Sequence, residues 1–286
     1  MSFLNSVNTN TGAMIALQAL NKTNSQLAAA QKQVSTGFRV ADSTDDGAAY
    51  AIAQNVRSTV GALTSANQQL GNVQGLLSTT QSSLNNISNT MGSMRDVLVK
   101  LSDSSVTSTD RTNYIAQYNS LLANVKTFIE DGNYNGKTLI GDITGGSGTF
   151  SRVAVVRNES GASYAVATYS GSALFGSITY TSTQLNAATT VQGIIGTAAT
   201  ASFINKFNSV NNELNTIGSA QNYVSNQVSY NSDKIDALNT GIGALVDADL
   251  AQESAQLQAL QIRQQLGTQA LSLANQAPQT LLSLFK

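Results

Sequence analysis

The stretch AYAIAQNVRSTVGALTSANQQLGNVQGLLSTTQSSLNNISNTMGSMRDVLVKL, residues 49–101, decides the fold. Apolar residues recur along it at alternating steps of three and four: Ala49, Ile52, Val56, Leu63, Ala66, Leu70, Val73, Leu77, Leu84, Ile87, Met91, Met94, Leu98 and Leu101. Only Thr59 and Thr80 interrupt, so fourteen of sixteen seam positions are apolar, and none carries a charge. A repeat held this long predicts one helix packed lengthwise against others. At 1.5 Å per residue it would span roughly 80 Å, against about 10 to 14 residues for an average globular helix. That length fits a rod-like object better than a compact enzyme.

Working outward, the same alternation returns near the other end of the chain. From Phe203 through Phe207, Val210, Leu214, Ile217, Gln221, Val224, Val228, Asn231, Ile235, Leu238, Ile242 and Leu245, eleven of thirteen seam positions are apolar. This predicts a second long helix, of roughly 65 Å. Ile115, Tyr118, Leu122, Val125 and Ile129 mark a third helix, joined to the first by the Ser-, Thr- and Asp-rich turn 102–110. Between the helical arms the pattern changes to β-rich runs, Val153 to Val156 and Tyr164 to Tyr169, separated as a hairpin would be by Asn158 to Gly161. The fold expected is mainly α: a long antiparallel helical bundle or coiled coil with a small β-hairpin section mid-chain. Its segments are 1–40, an N-terminal helix and loop; 41–137, the long-helix arm and third helix; 138–202, the β-rich section; 203–247, the C-terminal long helix; and 248–286, a C-terminal helix.

Composition narrows the function. Of 286 residues, 11% are charged, against about 25% in an average soluble protein, while 114 are Ser, Thr, Asn or Gln. So little surface charge does little to keep a protein monomeric, and implies that other subunits cover much of it. A net charge of -1 offers no electrostatic case for nucleic acid or an anionic membrane. The absence of Cys and His removes disulfides, thiolate chemistry and the commonest acid-base residue and metal ligand. No catalytic residue, cofactor or metal is therefore expected. The opening Met-Ser-Phe-Leu-Asn-Ser-Val lacks the basic and apolar regions of a secretory signal, and no run reaches the 18 apolar residues of a membrane span, so no membrane insertion is expected.

The ends are poorer still in charge: residues 1–38 hold only Lys22 and Lys32, and residues 250–286 only Glu253, Arg263 and Lys286. A helix lying on a monomer keeps one charged, solvated face, and these do not. Asp45 with Asp46, and Asp247 with Asp249, admit two readings, a carboxylate pair or a helix start, and capping is the better one without His or Cys beside them. Gly145 to Gly148 lacks the Lys-Ser or Lys-Thr of a phosphate loop and reads as a turn. Arg39, in a neutral loop, is expected to meet a carboxylate of its own or a neighbouring subunit.

Several segments together resemble the bacterial flagellins. They are Asn8-Thr9-Asn10 followed by Ala13, Ala16, Leu17 and Leu20; Val34 to Val40 with Ser43, Asp45, Asp46, Ala48, Ala49 and Ile52; Thr109-Asp110-Arg111; Phe128 with Asn133 to Leu139; Val246 to Ser254; and Gln264-Gln265-Leu266-Gly267 with Ala274-Asn275-Gln276 and Pro278-Gln279. The resemblance covers roughly 1–140 and 205–286. It implies a structural subunit that polymerises into the helical flagellar filament used for swimming, secreted without a cleavable signal peptide, in a short form lacking large outer domains, with paired N- and C-terminal helices, 1–40 and 248–286, forming the inner core. It also implies an export chaperone, a filament cap and hook-associated proteins as partners beside the chain itself. The candidate polymerisation contacts are Leu4, Ala13, Leu17, Leu20, Leu27, Val34 and Arg39 at one end and Leu250, Leu257, Leu260, Leu271 and Leu281 at the other. A hook-filament junction protein shares such terminal helices and is the alternative, as is, outside that machinery, a lipid-binding bundle, although the polar faces lack the Lys and Arg it would need.

Overall fold

The computed structural model describes residues 9–143, 149–196 and 202–284. Among them are eight helices: α1 (Thr11–Thr36), α2 (Gly47–Leu101), α3 (Ser108–Glu130), α4 (Gly171–Ile178), α5 (Ser182–Asn186), α6 (Ala188–Ile195), α7 (Phe203–Val246) and α8 (Leu250–Leu284). The strands are short: β1 (Asn133–Tyr134), β2 (Lys137–Thr138), β3 (Thr149–Phe150), β4 (Val153–Val156) and β5 (Ser163–Val166). The architecture is mainly α, as the two heptad stripes predict. The chain divides into two compact units, one formed by residues 1–59 with 236–286 and the other by 60–235.

In the unit 60–235, α2 supplies the predicted seam. Leu63, Leu70, Leu77, Leu84, Ile87, Met91, Met94, Leu98 and Leu101 are all fully buried. The α3 stripe Ile115, Tyr118, Leu122, Val125 and Ile129 joins the same core, with Phe203, Val210, Ile217 and Val224 of α7. Polar side chains beside the seam fix the relative direction of α2 and α7. Asn231 donates to Asn67 Oδ1 (2.8 Å), Gln221 to Ser78 Oγ (2.9 Å) and Ser88 to Asn211 Oδ1 (2.7 Å). Residue numbers rise on one helix as they fall on the other, so the pair is antiparallel.

The mid-chain section contains the expected hairpin. β4 and β5 pair antiparallel with Val153 opposite Val166 and Val156 opposite Ser163. Asn231, fully buried on α7, also donates to the Arg157 carbonyl (3.0 Å), the Arg157 guanidinium donates to the Tyr223 hydroxyl (2.9 Å), and Tyr164 stacks on Tyr223 at 4.2 Å. The hairpin is thereby fastened to α7. A second small sheet has the order β1-β2-β3, antiparallel then parallel.

Helices α4 to α6 are additions to the β section expected there. Their signals are local: Ser170 caps α4 by accepting from the Ala173 amide, and Thr181 with Gln184 forms a complete capping box on α5. Gly171 admits no side chain, since a Cβ would lie 2.7 Å from both Ile129 Cγ2 and Ile140 Cγ2.

The α2 seam departs from the expected register at its beginning. Ile52 is 51% exposed, and Ala53 is buried in its place. There α2 packs not on the large core but on a small cluster of Val40, Ala49, Ala53 and Val246, and a partner that sits further round the helix calls for a step of four from Ala49.

Candidate assembly surface

The unit formed by residues 1–59 and 236–286 is built by pairing the first helix with the last. On α1, the positions turned inward are Ala13, Ala16, Leu20, Thr23, Leu27, Ala30 and Val34, again at steps of three and four. On α8 they are Glu253, Leu257, Leu260, Gln264, Gly267, Leu271 and Ala274. Leu27, Ala30 and Leu260 are buried together, with Leu257 packed against them. Leu20 lies over Gly267, the Asn24 side chain accepts from Gln264 (2.8 Å), and Asn10 donates to the Ala274 carbonyl (2.7 Å). These contacts make α1 and α8 an antiparallel coiled coil whose seam mixes leucines with small residues.

A clasp closes one end of the pair. Gly37 ends α1 in the left-handed conformation, φ 75°, which favours glycine because it has no Cβ to clash, and its amide donates back to the Gln33 carbonyl. The chain then runs beside the α7–α8 junction. The amides of Arg39 and Val40 donate to the Val246 carbonyl (2.7 and 3.2 Å), and the Ala248 amide donates to the Gly37 carbonyl (3.0 Å). The Arg39 guanidinium reaches the Leu245 carbonyl at 2.5 Å, so within the chain its partner is a carbonyl and not the carboxylate expected of it.

The acidic run after the clasp works as helix-start chemistry. Asp46 accepts from the amides of Ala48 and Ala49, each at 3.0 Å, and so caps α2. Asp45 accepts from the Ala41 and Asp42 amides, and Asp249 caps α8 through the Ala251 and Gln252 amides. Lys32 of α1 bridges Asp42 (2.7 Å) and Asp45 (2.8 Å). The hydrogen bond from Lys32, with those from Thr44, holds the Asp42 carboxyl well below its ordinary range, and Lys32 together with the Ala41 amide lowers Asp45. Lys32 is raised in return, first by Asp42 and then by Asp45.

The outward faces of α1 and α8 each carry exposed apolar side chains. Met14 is 63% exposed, Ile15 68% and Leu17 48% on α1, and Ile262 58%, Leu266 58% and Leu273 70% on α8. Leucine and isoleucine at such exposure, on helices nearly free of charge, are what interaction faces look like before a partner is in place. Leu17 and Leu250 are the residues named from the sequence that remain exposed apolar groups, and Arg39 is exposed at the clasp. Leu27 and Leu260 are buried between the two helices, while Ala13, Leu20, Val34, Leu257 and Leu271 are half-buried along the same seam. Leu4 and the Leu281 side chain lie outside what the structure describes. Met14, Ile15, Ile262, Leu266 and Leu273 are additional. Their signal was present, since each falls one or two places from a seam residue, where a monomeric helix would put a charge.

Among the described residues, no three acidic side chains converge on a point that could hold a metal ion, and no helix is long and apolar enough to cross a membrane. A cavity of about 370 Å³ between β5 and α7 is lined by Tyr164, Tyr223, Asn215, Thr216 and small apolar residues, without a carboxylate or an amine.

Comparison with known proteins agrees with this geometry. Residues 7–144 match the bacterial flagellin N-terminal helical region, and residues 200–285 match the bacterial flagellin C-terminal helical region. Flagellin FljK of Caulobacter vibrioides is 33% identical over 283 residues, covering 99% of both chains. A flagellin of Brucella melitensis is 32% identical over 294 residues, covering 98% of this chain and 99% of its own. Among solved structures, a putative flagellar hook-associated protein from Vibrio parahaemolyticus superposes with a TM-score of 0.58 at 15% identity, covering 71% of this chain and all of that one; at that identity the likeness is one of fold.

Proposed function

Because the chain belongs to the bacterial flagellin family, we propose that its copies bind one another in the flagellar filament through the outward faces of α1 and α8. Membership makes it a structural subunit that self-assembles into the extracellular filament of the flagellum, and not an enzyme. The observation that carries the proposed surface is the exposure of Met14, Ile15, Leu17, Ile262, Leu266 and Leu273 on helices with almost no charge. Burying such side chains against further copies removes apolar area from water, at about 25 cal/mol per Å². The half-buried seam residues Ala13, Leu20, Val34, Leu257 and Leu271 act on assembly by holding that surface in shape, and Arg39 by closing the clasp. Leu4, Leu27, Leu250, Leu260 and Leu281 complete the set.

The test is seeded elongation of the full chain. A double variant, Ile15→Asn with Leu266→Asn, is expected to raise the critical concentration at least about tenfold while leaving the helical circular dichroism unchanged. Wild-type elongation by that variant sinks the assignment.

Export without a cleavable signal peptide, and contact with an export chaperone, a filament cap and hook-associated proteins, belong to the same proposal and rest on the family. Intact mass of protein taken from filaments checks the first: a subunit shortened by a leader contradicts it.

A further inference from the structure

We propose that Met14 is a peroxide-sensitive control point for assembly, and that its oxidation to the sulfoxide in the free subunit blocks entry into the filament. The inference rests on the assembly surface assigned above. The chain has four methionines. Met91 and Met94 lie on the α2 seam with no exposure, whereas Met14 is 63% exposed on the outward face of α1, next to Ile15 at 68%. Met1 lies outside the described residues. Oxidation follows access to the sulfur, so one described thioether is open to a dissolved oxidant and two are closed to it.

The chemistry needs only a peroxide. A lone pair on Sδ attacks one oxygen of hydrogen peroxide, the S–O bond forms as the O–O bond breaks, and the departing hydroxide takes a proton and leaves as water. Sulfur loses two electrons and the peroxide gains them. The product replaces a flexible apolar group with a strongly polar one. On α1 the new dipole stands among apolar side chains whose burial drives association, and burying it unpaired opposes that association. Assembly in turn covers the sulfur, so the free subunit is the sensitive form and the filament the protected one.

The experiment treats full-length monomer with dilute hydrogen peroxide, maps the added oxygen by peptide mass spectrometry, and measures seeded elongation. Oxidation is expected at Met14 ahead of Met91 and Met94. Oxidised monomer is expected to show a critical concentration raised about tenfold, with helicity unchanged. Met14→Leu, which keeps an apolar side chain and retains Met1, is expected to show the same critical concentration with and without the treatment, whatever its untreated value. Filaments treated in the same way are expected to keep Met14 reduced. Monomer fully oxidised at Met14 that elongates like untreated protein overturns the inference, as does Met14→Leu protein that loses elongation on treatment. Those results leave the assembly surface standing, because the Ile15 and Leu266 variant tests it without any oxidant.

Discussion

A single buried arginine shows how much local order hangs on one side chain. Arg111, 8% exposed, donates to the Leu101 carbonyl (2.8 Å), the Asp103 carbonyl (2.8 Å) and the Leu185 carbonyl (3.2 Å). Two of these belong to the end of α2 and the turn after it, where helix carbonyls otherwise lack partners, and the third belongs to α5. Replacing it with methionine keeps the bulk and strands all three acceptors, so Arg111→Met is expected to cost about 2–4 kcal/mol in denaturant unfolding of the full chain. Near-wild-type stability contradicts that account. Lys32 makes a second prediction at this scale. Its two carboxylate partners are depressed, so their contribution is present above the ordinary value of 3.8 and is lost as pH falls through the lower folded values. Lys32 is raised, so its contribution is present below 10.5 and is lost as pH rises through the higher folded value. Carboxyl carbon titration by NMR is expected to place Asp42 and Asp45 below 3.8 in the wild type and to move both upward in Lys32→Gln. Unmoved titrations in the variant contradict the bridge.

Among the elements, what could be read in advance followed from length. The stripes on α2, α3 and α7 are long enough that a periodicity of three and four admits one interpretation, and the buried residues bear it out from Leu63 to Leu101. The short α4 and α6 could not be read that way. Their runs Gly171 to Ile178 and Ala188 to Ile195 mix Gly, Thr and β-branched residues, which favour no helix locally, and packing on the core decides them. Ser170 caps α4 and α6 has no capping side chain, whereas α5 carries a complete capping box in Thr181 and Gln184. On α1 the ambiguity was one of side: Leu17 and Leu20 are equally apolar, and only the partner helix decides that Leu20 turns inward onto Gly267 and Leu17 outward. The pairing itself is thinly held, because Leu27, Ala30 and Leu260 are its buried apolar residues. Leu260→Ala is accordingly expected to weaken α1–α8 by about 2 kcal/mol, the low end for a buried leucine, seen as faster amide exchange in α1 with exchange in α3 unchanged. Equal effects on both helices would sink the local account.

For the molecule as a whole, the two units differ in what holds each of them. The unit 60–235 has a continuous core drawn from α2, α3, α4 and α7 and from both strands of the hairpin. The other has two small clusters, one beside the clasp and one between α1 and α8. Stability is local where contacts are few, so α1 and α8 are expected to exchange their amides much faster than α3 in dilute monomer, and to become protected in the filament. Uniform protection in the monomer would contradict this. With 11% charge, composition points to ends covered by other copies, since so little charge is left to solvate them. It does not say that, among the described terminal leucines, Leu20, Leu27, Leu257, Leu260 and Leu271 turn inward and hold the α1–α8 pair together.

The bond between Asn10 and the Ala274 carbonyl joins positions 264 apart in the chain. Closing so long a loop carries an entropic cost that no contact on α1 alone can offset, and it delays every contact that depends on it. The unit 60–235 is a single uninterrupted run and can organise as soon as its own residues are free. The unit of residues 1–59 and 236–286 must wait for both of its segments. Whichever of α1 and α8 is made first remains without its mate until the other has followed. The α1–α8 pair is therefore among the last parts of the fold to be completed, and the outward faces of its two helices take shape only with it.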